Sequence, residues 1–375
     1  MATDVYERLA QHLDNLPGGF PSTESGVEQR ILRRLFTPEE AELALSLTLI
    51  GEEPRVIARR ARITPEEAAQ RLEAMEKKGL IYAVHAPGRP PQYSASHFAV
   101  GIWEWQVNRL SPELVRDFEE YLPTLLDPVV WKKAPQLRTI PIGKAVDARM
   151  EVLPYERAEQ LVQAYDEFAV APCICRREMH LIGEGCDNPL ETCLSFGAAA
   201  ESYQRNGLGR AISRDEALET LKLAETAGLV LSPGNAKDAL FICACCGCCC
   251  AVLRSVKRYA KPAGLISSAF RAQVDLDTCR GCGTCVDRCH MEALTLSDGK
   301  VALDLDRCIG CGVCVTTCPT GSLSLRRKPE SEQPLVPKDI VDTSIKLGQA
   351  RGKLTTPGLV RMMVKSKVDR LLAGR

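Results

Sequence analysis

The chain has 375 residues, with 48 Lys and Arg against 48 Asp and Glu, and 18 of its residues are cysteine. Hydrophobic residues at 45% and charged residues at 26% are typical of a folded globular protein, and the balanced charge gives no global reason to expect a nucleic-acid or anionic-membrane partner. No apolar run reaches the roughly 18 residues of a membrane span, and acidic residues near the start argue against a signal peptide. The thiols are therefore expected to bind metal in a reducing cytoplasm rather than to form disulfides.

The length suits about two to four domains, and the first, residues 1–100, has the pattern of helices closed by a hairpin. Thr37 and Thr64 each precede Pro-Glu-Glu, which predicts a capped helix start. Residues 80–84 and 93–100 have strand-like composition on either side of a Gly-Arg-Pro-Pro turn. This order resembles the winged helix-turn-helix of bacterial regulators.

The charges of this winged-helix-like domain leave DNA binding open. The second helix, which enters the groove in such readers, begins with Glu66 and Glu67, and phosphates repel both. Basic residues that favour DNA lie on the preceding helix and in the wing, namely Arg55, Arg59, Arg60, Arg62 and Arg89. We expect a protein-docking or architectural domain and keep a DNA-binding one as the alternative.

Residues 101–135 are expected to form a helical linker. A helix start is predicted at Ser111, which precedes Pro-Glu. The tryptophans of this stretch, Trp103, Trp105 and Trp131, are expected to pack a domain junction.

Residues 136–265 are expected to form an α/β domain that is unusually rich in cysteine. Its ten cysteines lie in two groups, Cys173, Cys175, Cys186 and Cys193, then Cys243, Cys245, Cys246, Cys248, Cys249 and Cys250. A packed core has no use for so many adjacent thiols, and Arg176 in the first group can offset the charge of a thiolate-bound metal. We expect the ten to hold one or two further iron-sulfur clusters, with the first group as the main ligand set. Zinc and a thiol redox centre are the alternatives.

Residues 266–327 contain one cysteine spacing twice, at an offset of 29 residues. The first copy is Cys279, Cys282, Cys285 and Cys289, and the second is Cys308, Cys311, Cys314 and Cys318, followed by Pro319. Three thiolates on a tight glycine-containing loop suit three irons of one 4Fe-4S cube, and the fourth cysteine reaches the other cube. The doubled spacing, with short predicted strands around each loop, resembles that of two-cluster bacterial ferredoxins.

The ferredoxin resemblance implies how the eight cysteines divide between two 4Fe-4S clusters. Cys279, Cys282, Cys285 and Cys318 would hold one cluster, and Cys308, Cys311, Cys314 and Cys289 the other. His290 stands where the ferredoxin pattern has a proline. This histidine either alters the hydrogen bonding of the adjacent cluster or is a solvent-facing turn residue. Zinc also binds such cysteine pairs, but it does not explain the doubled unit.

Residues 328–375 are expected to form a linker and a basic amphipathic helix. From residue 336 onward nine Lys and Arg face three Asp. An apolar stripe at helical spacing comprises Val360, Met363, Val364, Val368 and Leu371. The helix is expected either to dock on an acidic partner or an anionic membrane surface, or to pack on its own protein.

As a whole, the chain is expected to be an α+β multidomain protein, and it resembles the multi-cluster ferredoxin-type proteins of anaerobic bacteria and archaea. That resemblance implies a cytoplasmic carrier of single electrons that serves as a subunit or partner of an anaerobic redox enzyme. Two other functions fit the residues. One is a regulator whose cluster state controls the winged helix, and the other is a reductase that uses the middle-domain cluster. Neither donor, acceptor, substrate nor oligomeric state follows from the sequence.

Overall fold

The computed structural model describes residues 4–374 and divides into two compact units. The first unit comprises residues 4–125 and 344–374, and the second comprises residues 126–343. Both contain helices, and paired strands occur in each, which confirms the mixed α+β class. Residues 1–3 at the chain start and Arg375 of the basic tail, both used in the sequence analysis, lie outside the described residues. None of the described helices is long and apolar enough to cross a membrane.

The N-terminal part of the first unit is a set of helices with a small hairpin. Its elements are α1 (Val5–Asp14), α2 (Val27–Leu35), α3 (Pro38–Ala44), α4 (Pro54–Ala61), α5 (Pro65–Lys77), β1 (Ile81–Val84), β2 (Gln92–Ala95) and α6 (Pro112–Leu125). Thr37 forms the predicted reciprocal capping box at the start of α3. Thr64 caps α5 by accepting a hydrogen bond from the N–H of Glu67, but the Glu67 carboxylate pairs with Arg71 instead. The strands β1 and β2 pair antiparallel around the predicted turn.

The strand predicted for residues 93–100 is wrong beyond Ala95. Phe98–Ile102 forms an irregular turn in which Val100 has a φ of 53°. This turn places Phe98 in an aromatic cluster, with its ring centroid 4.5 Å from that of Phe20. Burial of the aromatic ring therefore outweighs the strand preference of the local sequence.

The tryptophans expected at a domain junction are core residues of the separate units. Trp103 and Trp105 are buried in the first unit, and Trp103 stacks on Phe118 with ring centroids 3.9 Å apart. Trp131 is buried in the main core of the second unit. The α6 helix begins after Ser111, as predicted, and the Ser111 hydroxyl accepts from the N–H of Leu114.

The second unit is built on a five-stranded antiparallel sheet of order β5-β3-β4-β7-β6. Its strands are β3 (Phe168–Pro172), β4 (Glu191–Phe196), β5 (Arg210–Ile212), β6 (Val230–Pro233) and β7 (Phe241–Cys245). The helices of this part are α7 (Pro128–Lys133), α8 (Ala158–Gln163), α9 (Ile174–Leu181), α10 (Gly197–Arg205), α11 (Arg214–Thr226) and α12 (Ala251–Lys257). Leu221 of α11 shares one buried core with Val170 and Leu194 of the sheet. This sheet carries the middle-domain cysteines.

The doubled cysteine segment lies in the same unit and contains two strand pairs, each of which joins the first copy to the second. Its elements are β8 (Phe270–Val274), α13 (Thr284–Asp287), β9 (Leu294–Ser297), β10 (Lys300–Leu303) and β11 (Leu323–Arg327). In the register, β8 pairs with β11 and β9 with β10, both antiparallel. The first copy supplies β8 and β9 and the second supplies their equivalents β10 and β11, so each pair joins one strand from each copy. Strands β8 and β10 end before Asp275 and Asp304, because each of these carboxylates accepts from an N–H two residues on and forms a turn.

The C-terminal tail contains two helices, α14 (Ile340–Ala350) and α15 (Thr356–Leu372), of which the sequence pattern predicted only the second. The buried side of α15 is polar, because Ser366 donates to Glu52 and Asp369 pairs with Arg59 and Arg60 of α4. The apolar stripe predicted on this helix is exposed, with Leu371 at 81%. These ion pairs, rather than apolar burial, hold α15 on the first unit.

Candidate metal centres

One pocket of about 320 Å³ is lined by four cysteines, Cys279, Cys282, Cys285 and Cys318. Cys318 comes from the second copy of the spacing and the other three from the first. The turn between Cys279 and Cys282 requires glycine, because Gly281 has a φ of 64° and a Cβ there would lie 2.0 Å from the Gly299 carbonyl oxygen. The structure thus gathers the first set of four thiols that the resemblance implied.

A second pocket of about 420 Å³ is lined by Cys289, Cys308, Cys311 and Cys314. Here the first copy supplies only Cys289. Gly310 repeats the role of the earlier glycine, with a φ of 69° and a Cβ position 2.1 Å from the Phe270 carbonyl oxygen. Backbone N–H groups of Ala272 and Ala293 donate to the sulfurs of Cys308 and Cys289, each at 3.3 Å. Such bonds suit sulfur that carries negative charge.

The two pockets differ in their electrostatics. Burial alone would raise the pKa of Cys318, but hydrogen bonds from Ser322 and Thr320 lower it to about 6. In the other pocket burial raises the pKa of Cys311 to about 12 and also raises that of Cys314. Negative charge is therefore better stabilised in the pocket of Cys318 than in the pocket of Cys311.

Four cysteines of the middle domain converge on one compact site, Cys186, Cys246, Cys248 and Cys249, whose sulfurs all lie within 4.8 Å of one another. The Cys186 sulfur is 3.9 Å from that of Cys246 and 3.5 Å from that of Cys249, and the sulfurs of Cys248 and Cys249 are 3.7 Å apart. Burial alone would raise the pKa of Cys186, but hydrogen bonds from Asn188 lower it to about 7. We call these four the compact thiol site.

The other six cysteines of the domain form a chain of side-chain contacts at one end of the sheet. The contacts run in the order Cys193, Cys243, Cys245, Cys250, Cys175 and Cys173. Cys193 and Cys243 lie across from each other on β4 and β7, one position beyond the Leu194 and Ile242 pair. Cys173 and Cys250 occupy the positions immediately before α9 and α12. We call these six the thiol chain.

The first group of cysteines in the sequence is thus split between two sites. Cys173, Cys175 and Cys193 belong to the thiol chain, whereas Cys186 belongs to the compact thiol site. The adjacent pairs Cys245-Cys246 and Cys249-Cys250 are divided in the same way. Cys245 and Cys250 face the chain, and their neighbours Cys246 and Cys249 face the compact site. Spacing alone did not predict this division, because it depends on which side of the 245–250 loop each thiol points to.

Arg176 lies between these thiols with no exposed surface. Its Nη1 donates to the Ala244 carbonyl at 3.0 Å and to the Cys246 sulfur at 3.8 Å, and its Nη2 donates to the Thr192 hydroxyl. Burial by itself would lower the pKa of Arg176, but the charges of Cys173, Cys246 and Cys245 raise it. A buried guanidinium is costly unless it faces negative charge. The arrangement therefore fits thiolates, which are the form of cysteine that binds metal.

His290 connects the second pocket with the loop of the middle-domain thiols. Its Nδ1 accepts from the N–H of Gly247 at 3.1 Å, and its Nε2 donates to the Gly228 carbonyl at 2.6 Å. The residue is only partly exposed, so the expectation of a solvent-facing turn residue is wrong. His290 therefore links its chain neighbour Cys289 to Gly247, which lies between Cys246 and Cys248.

The comparisons with known proteins decide the nature of the doubled segment. Residues 273–322 match the family model of the 4Fe-4S dicluster domain. This segment is a ferredoxin-type iron-sulfur domain. The dicluster domain includes all eight cysteines of the two pockets, so iron-sulfur electron transfer is the general chemistry of the protein. No curated protein and no solved structure matches the chain, and the match of the dicluster domain does not extend to the other ten cysteines.

Proposed function

We propose that the protein relays single electrons between two 4Fe-4S clusters in its dicluster domain and a third redox centre on the thiol chain. In this proposal it works in the cytoplasm of an anaerobic organism, as a subunit or partner of a larger redox enzyme. Cys279, Cys282, Cys285 and Cys318 hold one cluster, and Cys289, Cys308, Cys311 and Cys314 hold the other. The clusters supply one-electron redox chemistry, and the protein sets their potentials through burial and hydrogen bonds to sulfur.

The single observation that carries the relay is the contact of His290 with Gly247. Cys289 is a ligand of one proposed cluster and is covalently joined to His290. The hydrogen bond of 3.1 Å from the Gly247 N–H then leads into the loop that carries Cys245 and Cys250. Covalent bonds and this one hydrogen bond therefore connect Cys289 with the thiol loop without crossing solvent.

The thiol chain suits an iron-sulfur centre because a buried arginine balances the negative charge of its thiolates. Six thiols lie in successive contact, and Cys245 and Cys250 among them are buried. Arg176 faces Cys173 and Cys245 of this chain, and its positive charge offsets the negative charge of bound thiolates. Soft thiolate ligands without nitrogen or oxygen partners favour iron-sulfur clusters, zinc or copper(I), and of these only a cluster continues the chemistry of the adjacent domain.

DNA binding has less support in the first unit. The three arginines of α4 that favoured it are engaged with carboxylates, because Arg55 pairs with Glu53, Arg59 with Asp369, and Arg60 with both Glu52 and Asp369. The exposed first turn of α5 begins with two glutamates, Glu66 and Glu67, which phosphates repel. Electron transfer is therefore preferred to a regulatory role.

Anaerobic purification followed by iron and sulfide analysis and a potentiometric EPR titration tests the proposal. Two cubes contain about eight irons and about eight sulfides, and a third centre raises both values and adds a further reducible signal. Cys250→Ser is expected to remove only the additional signal, whereas the matched Cys282→Ser removes a dicluster signal. Only two reducible centres would exclude the third centre, and a protein without iron would exclude electron transfer altogether.

A further inference from the structure

We infer that Cys186, Cys246, Cys248 and Cys249 bind one zinc ion in a closed tetrahedral site, separate from the iron-sulfur centres. Nothing in this assignment depends on the proposed electron relay. It concerns four thiols that the relay does not use, and it rests on the distances between their sulfurs.

The sulfur distances match a single metal ion. A zinc ion binds four thiolates tetrahedrally at about 2.3 Å, so neighbouring sulfurs are separated by about 3.8 Å. The distances between sulfurs at the compact thiol site are 3.5, 3.7 and 3.9 Å, and all four sulfurs lie within 4.8 Å of one another. These values are much longer than the roughly 2.05 Å of a disulfide, and all four cysteines are free.

The dicluster domain provides an internal comparison. Thiolates around a four-iron cube lie further apart, because irons and sulfides stand between them. In the described part of the chain, no three of the eight dicluster cysteines come within 4.8 Å of one another, and each set lines a pocket of its own. The sulfurs of the compact thiol site therefore have the spacing of ligands to one ion, whereas the dicluster sulfurs are spread more widely.

The surroundings of the four thiols suit the negative charge that such a site carries. Four thiolates and one Zn²⁺ have a net charge of about −2. The Asn188 amide donates to the Cys186 sulfur at 3.2 Å, and Arg176 Nη1 donates to the Cys246 sulfur at 3.8 Å. Donors around the ligands orient them and strengthen the site. With four protein ligands and no open position, the ion would have a structural role.

The consequence of this assignment is a fixed 245–250 loop. Cys246, Cys248 and Cys249 anchor the loop to Cys186, so their neighbours Cys245 and Cys250 are held toward the thiol chain. Gly247, whose N–H donates to His290, lies between these anchored cysteines. A redox-inert ion would thus position two thiols of the third centre and the contact that reaches it.

Metal analysis and zinc K-edge X-ray absorption on the full chain, purified without oxygen, test the assignment. We expect one zinc per chain with four sulfur ligands at about 2.3 Å. Cys248→Ser alters an exposed ligand and is expected to accelerate zinc loss to a chelator by roughly tenfold or more. The matched control is Cys282→Ser, which alters an exposed dicluster cysteine and should lower iron and sulfide while zinc stays in place.

The absorption measurement on the unaltered chain stands even where a variant fails to fold. No zinc, one iron in its place, or four additional irons with sulfide at these cysteines would each overturn the assignment. An unaltered chain that contains zinc but shows no third EPR signal would contradict only the proposed relay. An unaltered chain that shows three EPR signals but contains no zinc would contradict only the zinc site.

Discussion

The imidazole of His290 accepts a hydrogen bond from the backbone N–H of Gly247, at 3.1 Å between Nδ1 and the peptide nitrogen. The two peptide segments approach so closely that a Cβ on Gly247 would lie 2.5 Å from the His290 carbonyl oxygen. A side chain at residue 247 would therefore separate the segments. Glycine at one end and histidine at the other together make the contact between the dicluster domain and the thiol loop.

The first prediction concerns this contact. His290→Ala removes the acceptor of the Gly247 N–H and interrupts the bonded route, so we expect electron transfer from the dicluster domain to the third centre to slow severalfold. Flash reduction followed by rapid-freeze EPR measures that rate. His290→Asn is the control, since its side-chain oxygen can replace Nδ1 as acceptor and should restore most of the rate. Equal rates in the wild-type and alanine proteins would exclude the route.

The second prediction concerns the potentials of the two clusters. Ser322 is buried, and its hydroxyl lies 3.2 Å from the Cys318 sulfur. A hydrogen bond to the sulfur stabilises the more negative, reduced cluster, so Ser322→Ala is expected to lower the potential of that cluster by tens of millivolts. A potentiometric EPR titration measures the change.

Ser297→Ala serves as control, because the exposed Ser297 hydroxyl donates to the adjacent Asp298 carboxylate and not to a cysteine sulfur. In the unaltered protein we expect the cluster of Cys308, Cys311 and Cys314 to have the lower potential, since burial raises the pKa of all three thiols. The reverse order of potentials would show that burial is not the dominant influence.

The third prediction concerns the buried cation. Arg176→Gln leaves the thiolates of both middle-domain sites without the guanidinium that faces them, and loss of one member of a buried charge pair costs about 3 to 5 kcal/mol. We expect the variant to lose metal from the middle domain while the dicluster signals persist, as measured by metal analysis and EPR. Arg149→Gln is the control in the same unit, because its side chain is 91% exposed. A variant with full metal content would show that Arg176 does not balance thiolate charge.

The fourth prediction is an acid sensitivity of the first unit. Burial lowers the pKa of His97 from 6.5 to about 4. The folded state therefore binds the proton more weakly than the unfolded chain, so stability is constant above pH 6.5 and falls as the pH decreases toward 4. At pH 5.5 the loss is at most about 1.4 kcal/mol. Desolvation raises the pKa of Glu104, which acts in the opposite direction, so a variant is needed to isolate the effect of His97.

Urea unfolding followed by tryptophan fluorescence at pH 7.5 and 5.5 measures this effect, since Trp103 and Trp105 belong to the first unit. His97→Gln is expected to reduce the difference in stability between the two pH values. An unaltered difference in the His97 variant would assign the acid sensitivity to other groups.

The fifth prediction concerns the exposed face of α15. Val360, Met363, Val364, Val368 and Leu371 are exposed on it, and Arg361, Lys365 and Lys367 are exposed around them. An apolar stripe flanked by basic residues fits an anionic membrane surface. We expect the full chain to co-sediment with vesicles that contain anionic lipid and not with neutral ones, and salt should weaken the binding.

Val364→Glu places a negative charge in the stripe and is expected to abolish vesicle binding. Val129→Glu alters an equally exposed valine of the second unit and should have no effect. Binding that ignores lipid charge would contradict the electrostatic part of this prediction. A chain that self-associates through α15 without binding vesicles would identify a second copy as the occupant.

The sequence predicted features that depend on local spacing. The caps at Thr37, Thr64 and Ser111 lie where the capping patterns place them, because a cap involves residues only three positions apart. The repeated cysteine spacing likewise predicted the iron-sulfur nature of residues 273–322. Interactions between residues that are close in the chain can therefore be predicted from the sequence.

Features that depend on long-range packing could not be predicted in the same way. Cys186 lies sixty residues from Cys246 in the chain, and only the sheet brings their sulfurs together. The stripe on α15 has the spacing of a buried face, yet the ion pairs of Asp369 turn that face outward. His290 stands out in the sequence because it replaces a proline, but its partners Gly247 and Gly228 lie far from it in the chain and could not be predicted.

The exchange of strands and of the fourth cysteine between the two copies has a consequence for biosynthesis. A nascent chain that has emerged only as far as residue 307 contains the β9–β10 pair, but it lacks β11, the partner of β8, and has no complete ligand set. The cluster of Cys289 must therefore wait until Cys314 has left the ribosome, and the cluster of Cys279 until Cys318 has. Until then the earlier thiols are open to oxygen and to the wrong metals, so cofactor delivery has to follow translation of the whole domain.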